Sequence, residues 1–307
     1  MIELLPAFLQ ATLRTATPLG YAAIGELLVE RAGLVNIGLE GVMLAGAFGA
    51  LVGATAGDTV TGYAAGALAG TLTAAILGAI ILGARAGQIV VGTAITLLSL
   101  GVTGTLYREI YGTQGAALGI PTSAPVPLGP LARLPLVGPA LFEQPIITYA
   151  LYAVVPLVWL LLYRTHLGLA WRAVGEDPEA AEAAGIRPRR MRFLALLAGG
   201  ALGGLGGATL VLAQAGTFAE GMTAGRGFLA IAIVALGRWH PGGVAAAAVI
   251  FGATSALQYL FQAGESADTR VPYQVFLALP YALTLIGLAT LRAGRSAPAA
   301  LGRDERS

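Results

Sequence analysis

Asn36 and Glu40 stand four residues apart in the run GLVNIGLEG, on one face of a helix, inside a stretch otherwise apolar enough to lie in lipid. An amide and a carboxylate at membrane depth cost free energy unless paired or wet, so they mark either a polar path or an internal tie. Gln88, Thr93, Thr96 and Ser99 form a second set. Thr93 and Thr96 share a face at i, i+3 and Ser99 continues it, a weakly polar stripe suited to hydroxyl-rich solutes. The chemistry on offer is hydrogen bonding to a small polar solute. Each set also has a second reading: Glu40 accepts hydrogen bonds from neighbouring backbone or from Arg31, and the threonines bond back to their own helix carbonyls. Gly33, Gly38 and Gly41 weaken helical continuity, so a broken or re-entrant segment is expected around Asn36.

No catalytic constellation accompanies these residues. His166 and His240 lie in polar turns and suggest no metal cluster, no Ser-His-Asp set is visible, and cysteine is absent, which excludes disulfides and thiolate metal sites. All 18 basic residues are arginine. Without lysine the chain cannot contain the phosphate-binding GxxxxGK[ST] loop, so any ATP must be bound by another polypeptide. Gln214, Glu220 and Arg226 flank an outer loop where they could meet an external partner or seal a pore.

The other polar concentration is the densely charged stretch 163–192. Asp177 and Pro178 form a helix start, the aspartate capping free amides and the proline taking the first helical position. Glu179 and Glu182 put negative charge near that end, Ala180, Ala181, Ala183 and Ala184 leave a slim small-residue face, Gly185 supplies the left-handed stop, and Glu176 stands just before the cap. A helix of about two turns outside the membrane follows. It either docks in a partner's groove, with flanking arginines pairing to acidic groups or anionic lipid, or is a solvated loop helix.

The elements that must position these residues are membrane helices. The chain is 56% hydrophobic and 11% charged, with mean hydropathy +0.77 over 307 residues, against roughly 25% charged for a soluble domain. Long apolar runs such as 76–82 and 154–162 argue against a β-barrel. We therefore expect an all-α, polytopic transmembrane bundle, one transmembrane domain over 1–307. Apolar windows place spans near 8–28, 34–54, 60–82, 89–107, 146–163, 193–213, 222–237, 244–261 and 274–291, with eight to ten in all. Glycines 199, 200, 203, 204, 206 and 207 form overlapping GxxxG pairs that support close helix packing. MIELLPAF has no basic leader, so the first helix is expected to be retained.

Arginines in the loop 164–192 and in the tail 292–307 assign both to the cytoplasm. The loop 108–145 then falls outside, and its seven prolines forbid a continuous helix.

The run RAVGEDPEAAEAAGI resembles the coupling segment of membrane permeases of ATP-binding-cassette importers. TPLGYAAIGELLVERAGLVNIGLEGVMLAGAFGA (17–50), GQIVVGTAITLLSLGVTGTLYR (87–108) and GRGFLAIAIVALGRWHPGGVAAAAVIFG (225–252) extend the likeness to the nucleoside and simple-sugar branch, related to the ribose and branched-chain amino acid permeases. The resemblance implies that Glu176 to Gly185 dock into a cleft on an ATPase subunit. It implies two ATPase chains carrying the ATP and Mg, none bound here, a second related permease, with a heterodimer ahead of a homodimer, and an extracytoplasmic substrate-binding protein. Membrane lipid is the other partner and nucleic acid is not one. The expected location is the bacterial plasma (inner) membrane, the expected role transport rather than catalysis, and the expected solute a nucleoside, with ribose-like sugars next. Two other classes stay open: an ion-coupled secondary transporter, for which only Glu40 could serve as a proton relay, and a membrane enzyme, which would need clustered acid, base or metal ligands.

Overall fold

The computed structural model describes residues 4–112, 120, 122–134, 138–263, 278, 282 and 297–303. Helix α1 (Leu4–Arg31) is followed by an irregular stretch and then by α2 (Leu39–Ala56). The predicted span over 34–54 therefore begins five residues late. Gly33 adopts φ +86 and Leu39 N–H bonds back to Asn36 O, so residues 32–38 form turns rather than a helix. The glycine-weakened break expected around Asn36 is present.

Helix α3 (Thr59–Gly78) starts with a reciprocal cap, in which Asp58 accepts from Thr61 N–H while the Thr61 hydroxyl accepts from Asp58 N–H, and it continues into a π-helical turn at Ala79–Gly83. Helix α4 (Gln88–Tyr111) leads into the proline-rich connection. That connection holds a two-residue antiparallel pairing of β1 (Val126–Pro127) with β2 (Glu143–Gln144), a 3-10 turn at Gly129–Arg133 and the single-turn α5 (Gly138–Phe142).

Helix α6 (Ile146–Arg164) returns to the arginine-bearing end of the bundle, where α7 (His166–Glu176) and α8 (Pro178–Ala183) lie in sequence. Helix α9 (Pro188–Thr209) crosses back and ends in a second π-helical segment, Leu210–Ala215. Helix α10 (Arg226–Leu236) has only 11 residues, about 16 Å of rise, roughly half a bilayer core. The predicted span over 222–237 is thus a half-helix preceded by turns. Helix α11 (Pro241–Ala263) completes the described elements, and the predicted span 274–291, residues 278 and 282 apart, lies outside the described residues.

Among the described residues six helices are long and apolar enough to cross a membrane: Leu39–Ala56, Thr59–Gly83, Gln88–Tyr111, Ile146–Arg164, Pro188–Ala215 and Pro241–Gln258. The chain is an all-α polytopic membrane bundle.

At its centre stands α9, whose glycines meet three neighbours at once. A methyl on Gly25 of α1 would fall 2.7 Å from Gly199 O, one on Gly70 of α3 would fall 2.6 Å from Gly204 Cα, and one on Gly46 of α2 would overlap the Gly204 backbone. Lipid supplies no hydrophobic drive between helices, so this backbone-to-backbone approach, with its dispersion contacts, is what holds the centre together. Leu68 and Leu72 on α3, Leu97 and Leu98 on α4 and Leu157 and Leu160 on α6 are exposed, as faces against hydrocarbon should be.

Candidate coupling surface and translocation site

At the arginine-bearing end, α7 supplies a platform that sequence patterning did not reveal. Thr165 Oγ1 accepts from Gly168 N–H at 3.0 Å and caps it. Trp171 is buried, its indole N–H donating to Leu28 O at 2.8 Å, and Gly175 packs against the Arg31 carbonyl. The charges of this stretch mask the platform in the sequence, where the apolar positions Trp171 and Val174 are its signal.

Helix α8 forms on the platform as its local sequence dictates. Asp177 Oδ1 accepts from Glu179 N–H (3.1 Å) and Ala180 N–H (3.0 Å). At the other end Gly185, at φ +83, donates to Glu182 O and Ile186 donates to Ala181 O, the paired bonds of a Schellman stop. Ala181 is buried, while Glu176, Asp177, Glu179, Ala180, Glu182, Ala184 and Gly185 are exposed and Pro178 is partly so. One face anchors the helix and the rest is presented outward. Beside it opens a groove of about 780 Å³ lined by Glu179, Glu182, Arg85, Arg187, Arg189 and Arg190, among others.

The segment 297–303 is tied to the same platform. Ala300, fully buried, donates from its N–H to Gly175 O at 2.9 Å; Ala299 N–H reaches Glu176 Oε2 at 3.3 Å; Gly302 N–H reaches Gly33 O at 3.2 Å. Gln88 belongs to this junction: its Oε1 accepts from Val35 N–H at 2.9 Å and its Nε2 donates to Arg303 O at 3.1 Å.

The remaining path candidates divide by environment. Asn36 is fully buried, its N–H donating to Glu26 Oε1 at 2.8 Å, while both polar atoms of its side chain lack a hydrogen-bond partner, as does Glu26 Oε2. Glu40 sits at the other side of the break, where Oε1 accepts from Gly225 N–H (2.8 Å) and Oε2 from Gly227 N–H (2.7 Å). Its carboxylate therefore holds the start of the half-helix α10. Ser99 and Thr96 pack by the same turn of α2, with Ser99 Oγ 2.9 Å from where a Cβ on Gly41 would stand. The Thr96 hydroxyl donates to Gly92 O and that of Thr93 to Ile89 O, and Thr93 is exposed on the outer face of α4. The structure thus gathers Asn36 and Gln88 at the 32–38 break, brings Glu40, Thr96 and Ser99 together one turn deeper, and leaves Thr93 apart.

Two further ties were not foreseen. The turn 238–240 is fastened to α1: Trp239 indole N–H donates to the buried Glu30 carboxylate, and Trp239 O accepts from Arg31 Nε (2.8 Å) and Nη2 (2.6 Å). At the opposite end Arg108 Nη1 contacts both Glu220 oxygens at 3.0 Å, joining α4 to the turns before α10. Among the described residues no group of three or more histidine, aspartate or glutamate side chains is placed to hold a metal ion.

A half-helix meeting a broken segment inside an apolar bundle is a pattern that many membrane transporters share. The chain matches the family model for the branched-chain amino acid transport system permease component over residues 8–288, and it belongs to that family. It is 33% identical to the guanosine ABC transporter permease protein NupQ of Bacillus subtilis, over 98% of this chain and 97% of NupQ. It is also 33% identical to the nucleoside ABC transporter permease protein NupC of Lactococcus lactis, over 94% of this chain and 92% of NupC. The same organism supplies NupB, a nucleoside ABC transporter permease protein 36% identical over 29% of this chain and 24% of its own length. TsgC13 of Haloferax volcanii, provisionally named a glucose ABC transporter permease protein, is 39% identical over 81% of this chain and 76% of its own. No solved structure matches. The chain is a transport subunit, a multi-pass ABC permease.

Proposed function

We propose that this chain is one of two related permease subunits of an ATP-driven importer in the bacterial plasma membrane, and that its solute is a nucleoside. The observation that carries the reading is α8: a capped, outward-facing short helix whose buried residue is Ala181, beside an arginine-lined groove. A separate ATPase subunit, holding ATP and Mg, receives this helix, and its closure moves α7 and, through Trp171 and Gly175, the end of α1. Asn36, Glu40, Thr96 and Ser99 border the break through which solute passes, with Gln88 fixing its edge at the arginine-bearing end and Thr93 set apart on the outer face of α4. An extracytoplasmic binding protein delivers solute to the opposite end. The occurrence of two matching permeases, NupB and NupC, in one relative's organism supports a heterodimer. Near-full-length likeness to NupQ and NupC favours nucleosides; the identity to TsgC13 favours a simple sugar as the second reading.

The test is uptake into proteoliposomes containing this chain, its partner permease and the ATPase, with binding protein outside. ATP-dependent nucleoside accumulation, lost when the ATPase is inactivated, is expected. Accumulation driven by a proton or sodium gradient with this chain alone overturns the reading.

A further inference from the structure

A second cavity, about 490 Å³, opens towards the other end of the bundle, between α1, the π-helical end of α9 and the turns leading into α10. Its polar lining is Arg14, Thr15, Gln214 and Arg226, Leu210 and Met222 are among its apolar walls, and among the described residues no acidic side chain lines it. The volume lies within the roughly 300–1,000 Å³ of small-molecule sites.

Arg226 is the informative member. It opens α10, whose 11 residues end at the turn bonded to Arg31, so it stands about 16 Å above that end, near mid-membrane. An arginine at such depth faces water or a polar partner, because hydrocarbon is too costly. It is also held in place. Glu40 accepts from the amides on either side of it, Gly225 and Gly227, and Arg226 Nη1 donates to Met222 O (2.9 Å) and Thr223 O (3.2 Å). The turn feeding it puts Ala224 at φ +46, left-handed backbone that a residue with a Cβ adopts only when its surroundings impose it. At the far side Arg14 and Gln214 brace each other, Arg14 Nη2 donating to Gln214 O at 3.4 Å and Gln214 Nε2 to Arg14 O at 2.7 Å.

We infer that this cavity is a solute subsite that takes the acceptor edge of a nucleobase, with Arg226 and Arg14 as donors and the Leu210 and Met222 walls against the ring. The inference rests on the nucleoside reading above and gives it a contact point. Guanidinium donors suit adjacent acceptors such as guanine O6 and N7, whereas a free glutamine amide matches adenine N6 and N7; the amide nitrogen of Gln214 in this lining is already given to Arg14 O. The positioning role of Glu40 explains why a carboxylate lies close by yet outside the lining.

The experiment measures guanosine and adenosine uptake separately, below saturation, in proteoliposomes of the full complex carrying wild type, Arg226→Gln or Arg14→Gln, normalised to subunit abundance. In Arg226→Gln the guanosine-to-adenosine ratio is expected to fall about tenfold, in keeping with the discrimination of a bidentate pair; Arg14→Gln is expected to shift it less, in the same direction. A general loss of function moves both solutes together and leaves the ratio unchanged. Wild type that carries both nucleosides, with ratios unchanged in both variants, overturns the inference alone. If Arg226→Gln does not assemble, an unchanged ratio in Arg14→Gln overturns it. Wild type that carries glucose and neither nucleoside overturns the nucleoside reading and this subsite together.

Discussion

The carboxylate of Glu40 accepts from the amide of Gly227 at 2.7 Å, across 187 residues of sequence. Its other oxygen takes Gly225 N–H, so one side chain at the start of α2 caps the half-helix α10. Glu40→Ala leaves these amides without acceptors in a site where Glu40 is 8% exposed, and each unsatisfied buried group costs about 1–3 kcal/mol. Thermal unfolding in detergent should fall clearly for Glu40→Ala and by less for Glu40→Gln, which keeps one acceptor.

Gly185 has open space around its Cα and φ +83, so a substitution there acts through the backbone alone. A β-branched residue in left-handed geometry costs about 1–2 kcal/mol or more. Gly185→Val should leave membrane abundance near normal while solute-stimulated ATPase activity of the complex drops severalfold, and Gly185→Asn should retain most of it.

Trp239 and Glu30 form a buried donor–acceptor pair, with Glu30 2% exposed. Trp239→Phe removes the donor and strands a carboxylate oxygen, at a cost of about 1–3 kcal/mol. The double variant Trp239→Phe with Glu30→Gln should unfold at a higher temperature than Trp239→Phe alone. Additive losses in a double-mutant cycle would deny the coupling.

Ala300 is fully buried and bonded to Gly175 O. Ala300→Trp should expel the segment 297–303 from the junction, freeing Glu176 and Gln88 from their contacts with it. The expected readout is ATP hydrolysis that continues while uptake falls, measured side by side on one preparation.

Legibility followed the range of the forces involved. Helix α8 was readable because Asp177, Pro178 and Gly185 act on atoms a few positions away. The break before α2 was readable from its glycines for the same reason. Its consequences were not: Gln88 reads as a polar residue opening a helix, yet its amide partners are Val35 and Arg303, 53 and 215 residues distant. The start of α10 was hidden by the small and apolar residues 222–225 that precede it, since hydropathy marks burial rather than where a helix begins. Helix α7 was masked by the arginines around Trp171. The fold class emerges from composition, whereas the ties among Glu26, Asn36, Glu30 and Trp239 exist only once distant turns meet.

The docking of 297–303 against Gly33 and Gly175 also has a practical side. Under the coupling proposed above, a fluorophore attached near Gly302 would ride on the junction between the end of α7 and the break before α2 that nucleotide-driven motion would cross. Changes in its emission would then time the arrival and departure of the motor subunit without a label on the contact itself.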